Sequence, residues 1–228
     1  GVNMIRISNI KIYNDIDDNS IIDIIISKYK INKSDILDWS IFKKSIDARK
    51  KDNVHYNYSV NIQLKNESKY RKFDTVNDVL LPQICTKNIS FKHPIIIGAG
   101  PSGIFSALTM IQNGLVPIVI EQGDSVENRQ KVVDNFRKTG KLDKLSNVQF
   151  GEGGAGTFSD GKLNSGIHSP FCKKVLEEFV NFGAPKSTLY TSKPHIGTDN
   201  LVNILRNIRE YILANGGTFL FNRKFVDF

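Results

Sequence analysis

The densest chemical information in the chain lies in six residues, Gly98-Ala99-Gly100-Pro101-Ser102-Gly103, and in one acid, Glu121, 18 positions beyond the last of them. The six follow a short apolar run, residues 94–97. They precede Ile104, Ala107, Leu108 and Ile111, whose i, i+3, i+4, i+7 spacing predicts one apolar helix face. A second apolar run, residues 116–120, ends on Glu121. A strand, a glycine turn, a helix, a strand and a terminal acid within 28 residues are the context that gives a GxGxxG motif meaning. Gly98 suits the tight turn out of the strand. Gly100 lets backbone approach a pyrophosphate, and Gly103 lets helix and strand pack closely. The helix start, with Pro101 and Ser102 in its first turn, offers unpaired N–H groups and a positive dipole end to phosphate. Glu121 suits the hydroxyls of an adenosine ribose, and an acid there disfavours a 2′-phosphate, so FAD or NAD is expected in preference to NADP.

A second glycine motif, Gly151-Glu152-Gly153-Gly154-Ala155-Gly156, lacks that context. The run before it, residues 147–150, is too short for a core strand, and the TFSDGKLNSG after it is polar and broken by glycine. Its expected role is a loop whose backbone comes close to a ligand, or else a plain surface loop. Between the two motifs, Arg129 falls in the second turn of a helix expected at residues 125–139, where it either reaches back to phosphate or is solvated.

These residues need a scaffold. Residues 116–120 and 218–226 read as strands beside 94–97, and residues 171–182 and 198–215 as amphipathic helices. The last helix carries Leu201, Leu205, Ile208 and Ile212 on one stripe, with Asp199 in its first turn and Gly216 after its end. Of the 17 glycines, 16 lie beyond residue 90, so a domain boundary is expected there, giving a domain at 1–90 and another at 91–228. In the first, residues 4–13 alternate as a strand, with Ile5 and Ile7, then Ile10 and Ile12. A helix is expected over 20–29, capped from among Asp17, Asp18 and Asn19, with strands at 36–46 and 55–64 and a short helix at 76–80. That order suggests a small ferredoxin-like α+β layer, with residues 82–91 as the linker.

Two cysteines, Cys85 and Cys172, cannot build a disulfide framework or a CxxC centre, and four histidines without paired spacing make a metal site unexpected. No apolar run approaches the ~20 residues of a membrane span, and the start lacks the apolar region of a secretory signal. A soluble protein of a reducing compartment, the cytoplasm, is expected. The net charge of +8 divides evenly, with 15 basic and 11 acidic residues up to residue 90 and 16 and 12 beyond it. An even spread argues against a nucleic-acid footprint. The densest basic cluster, Lys43, Lys44, Arg49, Lys50 and Lys51, reads as a solvated hairpin tip or as a phosphate- or partner-binding edge. Tyr56 and Tyr58 share a strand face and either pack in the core or stack on bases.

The segments IIIGAGPSGIFSAL, VIEQGDSVENR, SNVQFGEGGAGTFSDGKLNSG and KPHIGTDNL, with KKSIDARKK nearer the N-terminus, resemble the bacterial NAD(FAD)-utilising dehydrogenases, FAD-dependent proteins of the two-dinucleotide-fold type. The resemblance implies a Rossmann-like FAD/NAD(P)-binding domain behind the small N-terminal one. It implies that Gly98, Gly100, Pro101, Ser102 and Gly103 hold the FAD pyrophosphate and that Glu121 takes the adenosine ribose. Gly153, Gly154 and the stretch from Thr157 through Ser159 to Lys162 would run along the ribityl chain and flavin. Where such proteins often carry an arginine after the acid, this chain has Gln122, and Arg129 is the candidate substitute. Members are longer and return to the FAD fold near their C-terminus, so this chain reads as an N-terminal portion with an incomplete flavin end.

The reading that follows is an FAD-dependent oxidoreductase, or its cofactor-binding part, with an unknown small-molecule substrate and NAD(P)H as candidate electron donor. Lys162, near a reduced anionic flavin, and His195, as a proton donor, are the only side chains singled out for chemistry, each with a plain alternative as a solvated lysine and a structural histidine. A non-catalytic FAD- or NAD-binding sensor is the alternative. An RNA-associated module on the basic N-terminal domain is a more distant one.

Overall fold

A computed structural model describes residues 3–77, 81, 93–159, 161–163 and 169–227. The chain forms two compact units. The first comprises Gly1–Leu81 and Leu189–Pro194, the second Pro82–Thr188 and His195–Phe228. Nothing in the sequence pattern signals that residues 189–194 belong with the first unit. The expected linker at 82–91 and Cys85 lie outside the described residues.

The first unit is a four-stranded antiparallel sheet built from β1 (Asn3–Ile12), β2 (Ile36–Asp47), β3 (His55–Leu64) and β4 (Asp74–Asn77), in the order β2-β3-β1-β4. Helix α1 (Ile21–Tyr29) makes the crossover from β1 to β2 and buries Ile21 and Ile25 against the sheet. The isoleucines of β1 change phase, from odd positions 5 and 7 to even positions 10 and 12, yet all four are buried. A strict period of two would put one pair in water. The register shifts between Ile7 and Ile10, with Asn9 at φ 59°, and this β-bulge absorbs one residue and returns the second pair to the core face. Asparagine tolerates that left-handed backbone better than most side chains.

Val76 lies in β4 rather than in the helix expected over 76–80. It pairs with Met4 of β1, and residues 78–80 lie outside the described set. Between β3 and β4 the chain makes only a short 3-10 turn, Glu67–Tyr70. Tyr58 is fully buried and Tyr56 packs beside the same core, so the tyrosine pair belongs to packing rather than to an open stacking face.

One polar cluster interrupts this apolar interior. Asp18 accepts hydrogen bonds from Lys44 Nζ, Tyr58 Oη and Tyr190 Oη, each at 2.7 Å. Tyr190 comes from the return segment, which adds itself to the edge of β2: the Lys44 N–H donates to the Tyr190 carbonyl and the Ser192 N–H to the Lys44 carbonyl.

The second unit has three short parallel strands, β5 (Ile95–Ile97), β6 (Ile118–Ile120) and β7 (Thr218–Leu220), in the order β5-β6-β7. Helices α2 (Pro101–Gln112), α3 (Val126–Thr139), α4 (Pro170–Asn181) and α5 (Thr198–Ala214) complete it. Ile104, Ala107, Leu108 and Ile111 are all buried, as the spacing requires, and meet Leu201, Leu205, Ile208 and Ile212 of α5 in one core. Each large aliphatic side chain buried this way contributes roughly 1.5–3 kcal/mol. β7 is shorter than the 218–226 expected. Asn222 takes φ 56°, and the chain leaves the sheet, with Val226 84% exposed.

Candidate functional site

The site is assembled at the carboxyl ends of β5 and β6, where the turn into α2 meets the loop that follows α3. Gly98 is joined to β6 by its N–H to the Ile120 carbonyl, 2.7 Å. Gly103 carries the tightest constraint. A Cβ there would overlap the Gly98 carbonyl oxygen and stand 3.3 Å from Ile96 Cγ2, so glycine is what lets helix and strand come this close. Gly100 is different in kind: it caps α2 with extended backbone, no side chain caps the helix, and a Cβ there would meet nothing within 4 Å. The space in front of Gly100 is open, and the first N–H groups of α2 are left to whatever enters it.

The second glycine loop lies against this turn. The Gly153 N–H donates to the Ala99 carbonyl at 2.8 Å. Gly153 has φ 83°, and a Cβ on it would overlap Thr157 Oγ1 and Leu205 Cδ1, so both its conformation and its contacts demand glycine. Gly154 sits over the start of α2, where a Cβ would stand 3.1 Å from Pro101 Cδ. Ala155–Phe158 forms a 3-10 turn rather than the start of a long helix, as expected of a loop and not of a second dinucleotide turn.

Two clefts lie where the two motifs meet. One, of about 250 Å³, is lined by Gly98, Gly100, Glu121, Gln122, Phe150, Gly154, Arg223 and Lys224, among others. The other, of about 450 Å³, is mainly apolar and is lined by Pro101, Ser102, Phe105, Gly153, Ser159, Lys162, Leu163 and Phe179, among others. The two motifs thus meet, with Gly100 and Gly154 lining the first cleft and Pro101 and Gly153 the second.

Individual residues depart from their expected roles. Glu121 lines the first cleft but is 5% exposed. Its carboxylate turns back to the protein, with Oε2 accepting from the Ala99 N–H at 2.7 Å and Oε1 from the Gly123 N–H at 2.8 Å. It therefore braces the two turns, and only its remaining lone pairs are left for any ligand of that cleft. Arg129 is fully buried. Its guanidinium donates to the carbonyls of Asn147 and Val148, each at 2.7 Å, and of Glu152, also at 2.7 Å. It is neither solvated nor presented to a phosphate; it pins the glycine loop through the backbone. Burial lowers its pKa, with Glu121 and Glu152 opposing that shift.

Thr157 is buried with its hydroxyl unpartnered. Ser159 is exposed and donates from its hydroxyl to the Gly156 carbonyl. Lys162 and His195 are brought together, paired across an isolated antiparallel bridge, and Lys162 stands at the apolar cleft.

The residues that sequence reasoning missed are Glu152, Arg209, Arg223 and Lys224. Glu152, with no exposed atom, accepts from the Val126 N–H at the start of α3 and pairs with Arg209 of α5, which also holds Glu127 at 2.5 Å. This buried network ties the glycine loop to two helices. Burial pushes the Glu152 carboxyl up to about 7, against the pull of Arg209 and the Val126 N–H. Arg223 and Lys224 bring positive charge to the first cleft. Only the observed end of β7 reveals them, because the sequence pattern carried that strand through both. Among the described residues no cluster of histidine, cysteine, aspartate and glutamate could hold a metal, and no helix is long and apolar enough to cross a membrane.

Residues 4–63 match a family model described as a domain of unknown function, DUF8436. Over 237 aligned positions the chain is 42% identical to an uncharacterized protein of Clostridium beijerinckii, an alignment that takes in 96% of this chain and 43% of the relative. The chain thus spans less than half the length of the curated relative it matches.

Proposed function

We propose that the second unit binds a dinucleotide, FAD, and that the chain is the cofactor-binding part of a flavin-dependent oxidoreductase. On this reading the second unit is Rossmann-like, and the first, with β1 and β2 joined through α1 and separated by β3, is ferredoxin-like. The observation that carries the reading is the pair of clefts meeting at the uncapped start of α2, one edged with basic side chains and the other apolar. A mononucleotide would occupy one cleft; a ligand with a base at each end and a pyrophosphate between them suits both. The residues present fit that group. Open space lies before Gly100, no side chain competes for the α2 N–H groups, and Gly154 leaves room over Pro101 that a Cβ would take.

The flavin would supply the electron and hydride transfer. The chain's own residues then have separable tasks. The first turn of α2 orients the pyrophosphate, and Arg223 and Lys224, at the first cleft, offset the pyrophosphate's charge from the adenosine side. Phe105, Leu163 and Phe179 exclude water from the apolar cleft. Lys162 stands at that cleft as the nearest candidate cation.

The test is the absorption spectrum of the purified chain, and of a C-terminally extended form, with release and mass identification of any bound cofactor. Flavin absorbance with released FAD is expected. Colourless protein that takes up NAD but no added FAD would exclude the flavin reading.

A further inference from the structure

The first unit holds a cavity that shares no lining residue with either of the two clefts. It lies at the hairpin between β2 and β3, measures about 430 Å³ and is lined by Lys11, Asp47, Arg49, Lys50, Asn53 and His55. The one acid in it is already engaged. Asp47 accepts from Arg49 Nε at 3.0 Å and Nη2 at 2.6 Å, and these bonds hold its carboxyl well below the usual carboxylate range. Neither Lys11 nor Lys50 pairs with an acid among the described residues. With Asp47 and Arg49 cancelling, the lining keeps the charge of two lysines.

His55 makes this more than a basic surface. Its side chain is only 5% exposed. Nδ1 lies 2.9 Å from the Asn53 carbonyl, and because a carbonyl can only accept, Nδ1 carries the proton. Nε2 is buried with no hydrogen-bond partner, and Asp47 Oδ2 stands 3.9 Å from it. A buried polar atom without a partner is costly, and the ring that carries this one lines the cavity. The Tyr13 ring packs against His55 at 5.3 Å between centroids and is 60% exposed.

We propose that this cavity is a binding site for the phosphomonoester group of a small molecule. The two lysines meet the negative oxygens. A turn of the His55 ring out of its burial brings Nε2 to one phosphate oxygen, the two bridged by a single proton, which a phosphate can supply near neutral pH and a sulfate cannot. The cavity has room for a phosphate and a sugar-sized remainder.

The test uses the whole chain and the ring C–H resonances of its four histidines, with His55 assigned by the variant His55→Phe. Inorganic phosphate, ribose 5-phosphate and sulfate are titrated at pH 7.5 and constant ionic strength. Saturable movement of the His55 resonances is expected with both phosphates, with sulfate about tenfold weaker or worse. Lys11→Ala and Lys50→Ala should each weaken phosphate binding about tenfold, while the histidine spectrum without ligand shows the fold retained. Tighter binding of ribose 5-phosphate than of inorganic phosphate identifies a phosphorylated metabolite as the source; equal binding identifies free phosphate. Equal movement with sulfate and phosphate, or indifference to both lysine substitutions, would overturn the proposal. So would a single-stranded oligonucleotide that shifts His55 when neither phosphate compound does.

Discussion

Two glycines of one motif should respond in opposite ways to substitution, and the structure says why. Gly100 has φ −70° and ψ −179°, which any residue adopts, and a Cβ on it meets no atom within 4 Å. Gly100→Val gains a little from the stiffer unfolded chain and loses a little as a poorer helix cap, so its net effect on folding should stay within about 1 kcal/mol. Gly103→Ala is the smaller change chemically but adds a methyl where the Gly98 carbonyl oxygen already lies, 3.1 Å from that carbonyl carbon and 3.3 Å from Ile96 Cγ2. Rigid backbone on one side and a core side chain on the other leave only a shift of the β5–α2 turn. That places the cost near the top of the overpacking range, about 3 kcal/mol, or a fall in Tm of about 6–12 °C for a chain of this size. The assay is paired: thermal melting without nucleotide, and calorimetric titration with FAD and with ADP. Gly100→Val should melt as the parent does and bind at least about tenfold more weakly, a loss of about 1.4 kcal/mol. Unchanged affinity in Gly100→Val would mean the space before Gly100 is not where the ligand passes. An unchanged melt in Gly103→Ala would mean the turn is looser than its geometry indicates.

Three further outcomes follow from the buried polar groups. Arg129→Lys keeps the charge but cannot reach the carbonyls of Asn147, Val148 and Glu152 together; it should cost about 3 kcal/mol in urea melts and weaken nucleotide binding with it, and a loss of one without the other would separate the loop from the site. Burial lifts Glu152 from 4.5 to about 7, so between those values the folded chain keeps a proton that the unfolded chain has released. Stability should therefore fall as pH rises across that window, on the order of 3 kcal/mol in all, and Glu152→Gln should flatten the slope; an unaltered slope would assign it to another group. Burial pushes Asp18 up, but its bonds from Lys44, Tyr190 and Tyr58 outweigh that and hold it below the ordinary value. The stabilisation it brings is thus present above about pH 4 and lost as pH falls below it. Tyr190→Phe should cost about 1 kcal/mol and speed hydrogen exchange at the Lys44 and Ser192 amides, and exchange rates equal to the parent's would remove the cluster from any anchoring role.

Elements whose signal is local were legible before any coordinates. The stripe on α2 and the strand of β1, read from its alternating isoleucines, each follow from a period and a neighbour, whereas the bulge between Ile7 and Ile10 shows only in the pairing. The first strand–turn–helix of the candidate site is equally local, because Gly98 and Gly103 answer to constraints within a few residues. What could not be read depends on atoms brought together from far apart. Arg129 looks like any exposed helical arginine until residues 147–152 fold over it. Glu121 carries the expected chemistry at the expected place, yet the N–H groups of Ala99 and Gly123 claim its carboxylate. The end of β7 was overrun because Phe221, Phe225 and Val226 continue an apolar pattern, whereas Asn222 turns the backbone away. The pairing of residues 189–194 with β2 spans 148 positions between Lys44 and Ser192, and nothing in a polar hexapeptide announces a partner that distant.

That pairing makes the first unit discontinuous in sequence, with a practical consequence for anyone who would handle it alone. The segment that matches the family model, residues 4–63, ends before β4 and excludes the strap altogether. Excised at those limits, it would present β2 as a bare edge with the Lys44 amide and carbonyl unpaired, and Asp18 would keep two of its three donors. An uncovered edge of that kind recruits other strands, including copies of itself. Supplying residues 189–194 as a separate peptide should therefore do for the fragment what the chain does for itself, capping the sheet and keeping it monomeric. Once the strap dissociates, the same edge becomes the point at which two fragments would join.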